Sequence, residues 1–369
     1  MTKIDFLYFD AGGGHRAAAT ALKSVIDEQN RPWEIRLVNL QELLDPLDVF
    51  RKITGIRLEN LYNRMLAKGW TLGITQVLKI VQGVIRLNHG PAVRLLTEHW
   101  TRTKPEMVVS LVPNFNRAIH ESLRAALPAV PFVTILTDFA DYPPHFWMER
   151  QEQYLICGSE KAVQQARELG HASEKIFLTS GMILGPKFYQ PVTADRVQER
   201  CRLGLDPDRP TALVLFGGAG SKVMLEISRT LQDKQLILIC GHNAELAARL
   251  KKMPAKAPRF VEGFTREIPY YMHLADFFVG KPGPGSLSEA MAMKLPVIVE
   301  CNSFTLPQER YNAEWVVERQ VGLVLPNFRP VAGAVEKMLG NLAGFRENVE
   351  KIQNRAVFEI PEILAKILN

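Results

Sequence analysis

Three clusters in this 369-residue chain hold residue types at spacings that can do chemistry. The first, Gly12-Gly13-Gly14-His15, closes an apolar run and opens a helical one. Glycines at such a turn let the backbone approach a ligand, and the following helix start favours negative charge. A histidine there faces the carboxyl edge of a sheet and titrates in the range of a general base; its plainer reading is a helix cap. Gly12-x-Gly14-x-x-Ala17 formally matches a dinucleotide fingerprint. However, the next strand ends Val38-Asn39-Leu40-Gln41, with no acid before Glu42 to hold a ribose, which argues against NAD. The second cluster is Gly280-Lys281-Pro282-Gly283-Pro284-Gly285-Ser286-Leu287-Ser288-Glu289-Ala290. Its Gly/Pro turn, with Gly283 at the bend, opens a helix whose Gly285, Ser286 and Leu287 amides are expected to face an anion. Glu289, one turn in, is placed to accept from ribose hydroxyls. A turn with an N-capping serine is the simpler alternative. The third, Pro307-Gln308-Glu309-Arg310-Tyr311-Asn312, offers amide and carboxylate side chains for sugar hydroxyls, or a polar helix start. Asp206-Pro207-Asp208 has the form of a metal-binding DxD but sits in a proline-containing turn and reads as turn chemistry.

Elements that position these residues alternate along the chain. Strand-like runs are expected at 3–9, 34–40, 107–112, 131–137, 154–157 and 176–179, and again at 212–216, 235–240, 259–263, 277–279 and 296–300. Helical runs fall at 17–29, 159–169, 222–231, 244–252 and 285–293. Continuous apolar strands between helices point to buried parallel sheets. A Gly/Pro-rich stretch at 181–194 divides two such arrays, so two doubly wound α/β domains with a cleft between them are expected. The tail, 344–369, reads as helical with a break at Pro361.

Composition bounds the function. Hydrophobic residues at 47% and charged residues at 23% fit a globular chain with sizeable cores. The longest uncharged stretch, between Arg124 and Asp138, is too short for a spanning helix, and the first residues do not read as a signal peptide. Cys157, Cys201, Cys240 and Cys301 form no CxxC pair, and Cys157 and Cys240 fall in apolar strands as reduced core cysteines. Net charge is +6, yet residues 51–104 hold ten basic and two acidic side chains, a surplus of +8. Within that segment Ile74, Val77, Leu78, Val81, Val84 and Ile85 recur at helical spacing, as in a helix packed on its domain or lying on an anionic membrane surface. Nucleic-acid binding is disfavoured by thin aromatic interleaving and the lack of a recognition module.

Read in order, GGGHR-A at 12–17, TDF at 137–139, CG-N at 240–243, GF at 263–264, KPGPGSLSEA at 281–290 and PQE--N at 307–312 resemble the monogalactosyldiacylglycerol synthases and processive diacylglycerol glucosyltransferases. The resemblance spans roughly residues 4–325. It implies a GT-B fold: an acceptor-binding Rossmann-like domain at 1–188, a UDP-sugar-binding domain at 200–342, and helices at 343–369 crossing back to the first. It further implies inverting, metal-independent transfer of a hexose from a UDP-sugar to a diacylglycerol-like lipid, with the UDP-sugar as co-substrate and no cofactor. The protein would be cytoplasmic, peripheral on the inner face of the cell membrane. Carried over by position, His15 is the base that deprotonates the acceptor hydroxyl and Asp138 a partner that orients it or binds acceptor. Gly13 and Gly14 border the donor phosphates or acceptor, and Gly218 lines the cleft. Asn243 falls in a donor-side motif, and Phe264 presents its backbone to uracil. Gly285, Ser286 and Leu287 cradle the pyrophosphate, with Gly283 at their turn; Glu289 binds ribose; Gln308 and Glu309 contact the donor sugar. Ser110-Leu111-Val112-Pro113-Asn114 stands where the family carries a Ser-x-His-Pro-like stretch, and Gly181-Met182-Ile183 departs from its G-[IV]-P. Pro113 and Asn114 are therefore the acceptor-side candidates, and acceptor identity stays open. A UDP-N-acetylglucosamine 2-epimerase and a peptidoglycan-type N-acetylglucosaminyltransferase share the implied fold, as would a UDP-sugar-binding regulator without turnover.

Overall fold

The structure, a computed structural model, describes residues 1–10, 14–47, 82–142 and 146–369. Gly13 and most of the basic segment, from 51 to 81, lie outside the described residues. The described residues as far as Pro186, together with Asn354–Asn369, form one compact unit, and Lys187–Gln353 form a second.

In the first unit, β1 (Thr2–Tyr8), α1 (Gly14–Glu28), β2 (Trp33–Asn39), α2 (Leu40–Leu44), α3 (His89–Thr103), β3 (Met107–Ser110), α4 (Asn116–Ala126), β4 (Phe132–Ile135), β5 (Tyr154–Cys157), α5 (Glu160–Glu168) and β6 (Ile176–Leu178) follow in order. The sheet order is β2-β1-β3-β4-β5-β6, every described pair parallel. The strands are apolar on both faces because helices cover both; Ile4, Phe6, Leu7, Met107, Val108 and Val109 are wholly buried. The connection reverses direction between β1 and β3, which places a crevice at their carboxyl ends.

The second unit runs α6 (Arg196–Arg202), β7 (Thr211–Leu215), α7 (Val223–Thr230), β8 (Gln235–Ile239), α8 (Ala244–Lys251), β9 (Arg259–Glu262), α9 (Ile268–Leu274), β10 (Phe277–Gly280), α10 (Pro284–Ala292), β11 (Val297–Glu300), α11 (Arg310–Glu318), β12 (Gly322–Leu325), α12 (Val331–Gly340) and α13 (Leu342–Glu350). Its sheet, β12-β11-β10-β7-β8-β9, is again parallel and reverses between β7 and β10. The edge strand β12 was not expected from sequence; half-buried and only four residues long, it carries little of the apolar signal that marks the central strands. At the amino-terminal edge of this sheet, Asp276 accepts from Arg196 (2.8 Å), Arg200 (2.7 Å), Arg346 (2.7 Å) and the Thr211 amide (2.9 Å). Burial works to raise its pKa, but Arg196, the Thr211 N–H and Arg200 overcome that and hold it at about 2.

The tail departs from the expected break at Pro361. The helix α14 (Ala356–Leu368) runs through that proline, and the interruption falls earlier, between Glu350 and Ala356. Pro361 is the sixth residue of the helix, so it forfeits one internal bond, to the Val357 carbonyl, and it is itself buried. At the interruption Asn354 Nδ2 donates to the Met182 carbonyl (2.8 Å), and the Arg355 amide donates to Ser180 Oγ (2.7 Å). Thus α13 stays with the second unit while α14 packs on α1 of the first, helped by an Arg31–Glu362 ion pair.

Candidate active site

In the first unit α1 starts directly at the carboxyl end of the β1–β3 crevice, and His15 is its second residue. Its Nδ1 lies 3.1 Å from Thr137 Oγ1, just beyond β4. Desolvation pushes the imidazole pKa down to about 4, against a smaller upward pull from the Leu111 backbone at the end of β3. The ring is therefore neutral, hence able to accept a proton, throughout the physiological range. Aromatic groups frame it: Trp147 at 5.7 Å between centroids and Phe9 at 6.5 Å, with Phe115 edge-on to Phe9. A buried asparagine fixes this wall, because Asn116 Nδ2 donates to both the Val112 carbonyl (3.1 Å) and the Trp147 carbonyl (2.8 Å).

Asp138, proposed from sequence as the group that orients His15, is buried and accepts the Trp147 indole N–H at 2.8 Å. The hydroxyl on the histidine belongs to its neighbour Thr137. Both residues lie in the bend that follows β4, which turns the Thr137 hydroxyl towards the ring and the Asp138 carboxylate towards Trp147. Asn114 occupies the left-handed region at φ 67°, its amide bonded to the Phe146 carbonyl (2.6 Å) and its Oδ1 accepting from Gln82 (3.2 Å). Pro113 is buried beside it, and Gly14 is exposed at the start of α1.

In the second unit the turn after β10 opens α10 with Gly283 at the N-cap and Pro284 at the first position. Pro284 has no N–H, and the Leu287 amide is taken by the Gly283 carbonyl at 3.0 Å. Leu287 therefore cannot cradle a phosphate as sequence suggested; the open amides are those of Gly285 and Ser286, and the Leu287 side chain belongs to the core. Glu289 stands one turn along, with no hydrogen-bond partner among the described residues, and burial raises its pKa to about 7. Glu309 is buried and receives a hydrogen bond from Lys281 Nζ at 2.9 Å, while Gln308 beside it is half-buried. Asn312, wholly buried, donates to the Pro282 carbonyl at 2.7 Å and so ties α11 to the turn that opens α10.

Along the same carboxyl edge the loops after β7, β8 and β9 interlock. The His242 amide donates to the Gly218 carbonyl at 2.8 Å. Gly241 is at φ +58°, and a Cβ there would fall 2.2 Å from that carbonyl oxygen, so only glycine fits. Phe264 is exposed and stacks on His242, centroids 4.0 Å apart. Asn243, expected on the donor, instead caps α8, its Oδ1 accepting the Leu246 amide at 2.9 Å. Sequence reasoning did not single out Thr137, Trp147, Lys281, His242 or Asn312. Lys281 and Asn312 sit within the motifs quoted, and Thr137 opens TDF, so their positions were on view although their partners were not.

Residues 211–360 match the glycosyltransferase family 28 C-terminal domain. The chain is a glycosyltransferase of the GT-B fold. Over its full length the glycosyltransferase is 25% identical to monogalactosyldiacylglycerol synthase 1, chloroplastic, of Arabidopsis thaliana, covering 70% of that protein. It is 26% identical to monogalactosyldiacylglycerol synthase, chloroplastic, of Spinacia oleracea, covering 71% of it. The structure of MurG from Acinetobacter baumannii superposes with a TM-score of 0.66 at 12% identity, over 99% of this chain and 100% of that one. The glycosyltransferase thus resembles the glycolipid-forming enzymes that its motifs pointed to. The Asp206–Asp208 pair lies in a turn in which the Asp208 amide bonds Asp206 Oδ1 at 3.0 Å. Among the described residues no helix is long and apolar enough to cross a membrane.

Proposed function

We propose that this glycosyltransferase moves a hexose from a UDP-sugar to a diacylglycerol-like lipid, with inversion and without a metal, as a protein peripheral to an anionic membrane surface. The observation that carries the reading is His15, a histidine kept neutral by burial at the crossover of the first sheet, among aromatic rings suited to an apolar acceptor. In the reaction proposed, the acceptor hydroxyl oxygen forms a bond to the anomeric carbon while the bond from that carbon to the diphosphate breaks. The hydroxyl proton passes to His15, and the electron pair leaves with UDP. The Gly285 and Ser286 amides and the α10 dipole meet the developing charge, a role a helix start can fill. Glu289 accepts from ribose, Phe264 borders the uracil and Gln308 contacts the sugar. The names of the relatives support a galactolipid-type product. The basic surplus within 51–104, and Val84 and Leu87 exposed beside it, support attraction to anionic lipid.

The test is turnover of UDP-galactose, UDP-glucose and UDP-N-acetylglucosamine with diacylglycerol in neutral and in anionic vesicles. A glycolipid whose anomeric configuration is opposite to that of the donor, formed in the presence of EDTA and faster on anionic vesicles, is the expected result. Retention of configuration, or epimerised UDP-sugar without transfer, overturns it.

A further inference from the structure

The turn that opens α10 carries a charge that the proposed reaction has not yet used. Lys281 leaves the end of β10, and its stem lies across two glycine turns. A Cβ on Gly283 would stand 3.3 Å from Lys281 Cε and 3.7 Å from Nζ, and one on Gly217 would stand 4.0 Å from Cε. These turns flank the β7–β10 crossover, where a ligand of an open parallel sheet settles. The ammonium rests on Glu309, whose side chain is only 9% exposed while that of Lys281 is 39% exposed. The carboxylate is therefore the fixed partner and the lysine the one with room to turn. Asn312 anchors Pro282, the next residue, so the stem pivots from a held backbone.

Charge balance gives the pair a task. With Pro284 lacking an N–H and Leu287 spent, α10 presents two amides, backed by a macrodipole worth roughly +0.5 charge. A departing diphosphate carries more than one full negative charge. Two amides and half a charge leave most of it uncompensated, and a whole ammonium on a four-carbon stem supplies what is missing.

We propose that Lys281 is a diphosphate-binding residue whose ammonium passes from Glu309 to the donor's diphosphate, and that this exchange frees Glu309 to accept from a hydroxyl of the donor sugar. The inference rests on the UDP-sugar reading of the same site. When the anomeric carbon–oxygen bond breaks and the acceptor oxygen bonds in its place, the electron pair stays on the diphosphate beside Lys281, while the acceptor proton goes to His15. One ion pair thereby links recognition of the sugar to stabilisation of the leaving group.

Calorimetry with UDP and UMP on the wild type, Lys281→Met, Lys281→Arg and Glu309→Gln tests this, alongside turnover of the donor. Lys281→Met should weaken UDP at least tenfold and leave UMP nearly unchanged, and Lys281→Arg should restore most of the loss. Glu309→Gln should bind UDP as tightly as the wild type or tighter, because the ammonium is released, yet turn over the UDP-sugar at least tenfold more slowly. A merely structural ion pair predicts the opposite pattern, with both truncations weakening UDP and UMP alike. If the wild type binds UDP and Lys281→Met matches it, the lysine role fails and the donor reading stands. A wild type that binds no UDP removes the donor reading and this inference with it. Should Lys281→Met not fold, Glu309→Gln decides: weaker UDP binding overturns the exchange.

Discussion

Thr137 Oγ1 lies 3.1 Å from His15 Nδ1, the one side-chain hydrogen bond to that ring among the described residues. If the hydroxyl accepts Nδ1–H, the basic lone pair falls on Nε2, and the threonine sets which nitrogen receives the acceptor's proton. Thr137→Val keeps the shape and removes the bond. We expect kcat to fall about fivefold, in line with ~1 kcal/mol for a neutral hydrogen bond, with UDP affinity unchanged. Equal kcat in the variant, or a loss confined to donor KM, removes Thr137 from this role.

Because desolvation puts the His15 pKa near 4, its base form persists well into acid. With donor saturating, kcat/KM for the acceptor should stay level from pH 8 to about pH 5 and fall only towards pH 4. A decline beginning near 6.5, where an exposed histidine titrates, would show that the imidazole is not desolvated as described.

Glu289 gives the donor side a different pH response. Burial raises its carboxyl to about 7, so below that pH the free protein holds it protonated. Ribose hydroxyls donate best to the carboxylate, so nucleotide binding should release a proton and weaken as the pH drops through 7. Titrations between pH 6 and 7 in buffers of different ionisation enthalpy should detect that proton. Glu289→Gln should abolish the release and flatten the pH dependence. Proton release that survives the substitution must come from elsewhere.

His99 is a group whose protonation opposes folding. It is buried beside Asp5 and Arg36, with a pKa lowered to about 4 by desolvation first and then by Arg102 and Arg36. Unfolded, it titrates near 6.5, so between 6.5 and 4 the unfolded chain binds more protons, and stability is lost as the pH falls through that window. From pH 7 to pH 5 the loss from this one residue is on the order of 2 kcal/mol. Denaturation midpoints of His99→Gln should depend less steeply on pH there than those of the wild type.

Asp276 binds three guanidiniums at the base of the second sheet. Asp276→Asn keeps the shape but leaves Arg200, whose side chain is 5% exposed, without its counter-charge. Loss of one partner from a buried pair costs about 3–5 kcal/mol. Urea unfolding should register a loss of that order, and UDP affinity of the folded fraction should hold, because Asp276 lies at the opposite edge from the glycine turns. A loss below 1 kcal/mol would mean that solvent replaces the carboxylate.

Much of the architecture was legible because central parallel strands are long apolar runs, and Val, Ile, Leu and Phe between glycine turns leave few alternatives. The glycine turns and His15 were legible as well, since those residue types rarely meet by accident at a strand end. Partner choice was not. Whether Thr137 or Asp138 faces His15 depends on the backbone of the bend after β4, and sequence does not fix that geometry. Whether Leu287 offers its amide depends on where the helix cap falls, and Gly283 set it one residue early enough to spend that amide. Asn243 belonged to a ligand-side motif, yet the same side chain serves helix capping equally well. The break at Pro361 failed because the single backbone bond it forfeits does not end a helix whose proline is itself buried.

The return of Asn354–Asn369 to the first unit makes that unit discontinuous along the chain, with the second inserted between its two pieces. During synthesis, the half bearing His15 reaches the solvent long before the helix that seals α1 has been made. The inserted half, by contrast, is complete once Gln353 emerges. The pieces of the first unit can therefore come together only after Asn354–Asn369 has been made, by which point the second unit is already complete.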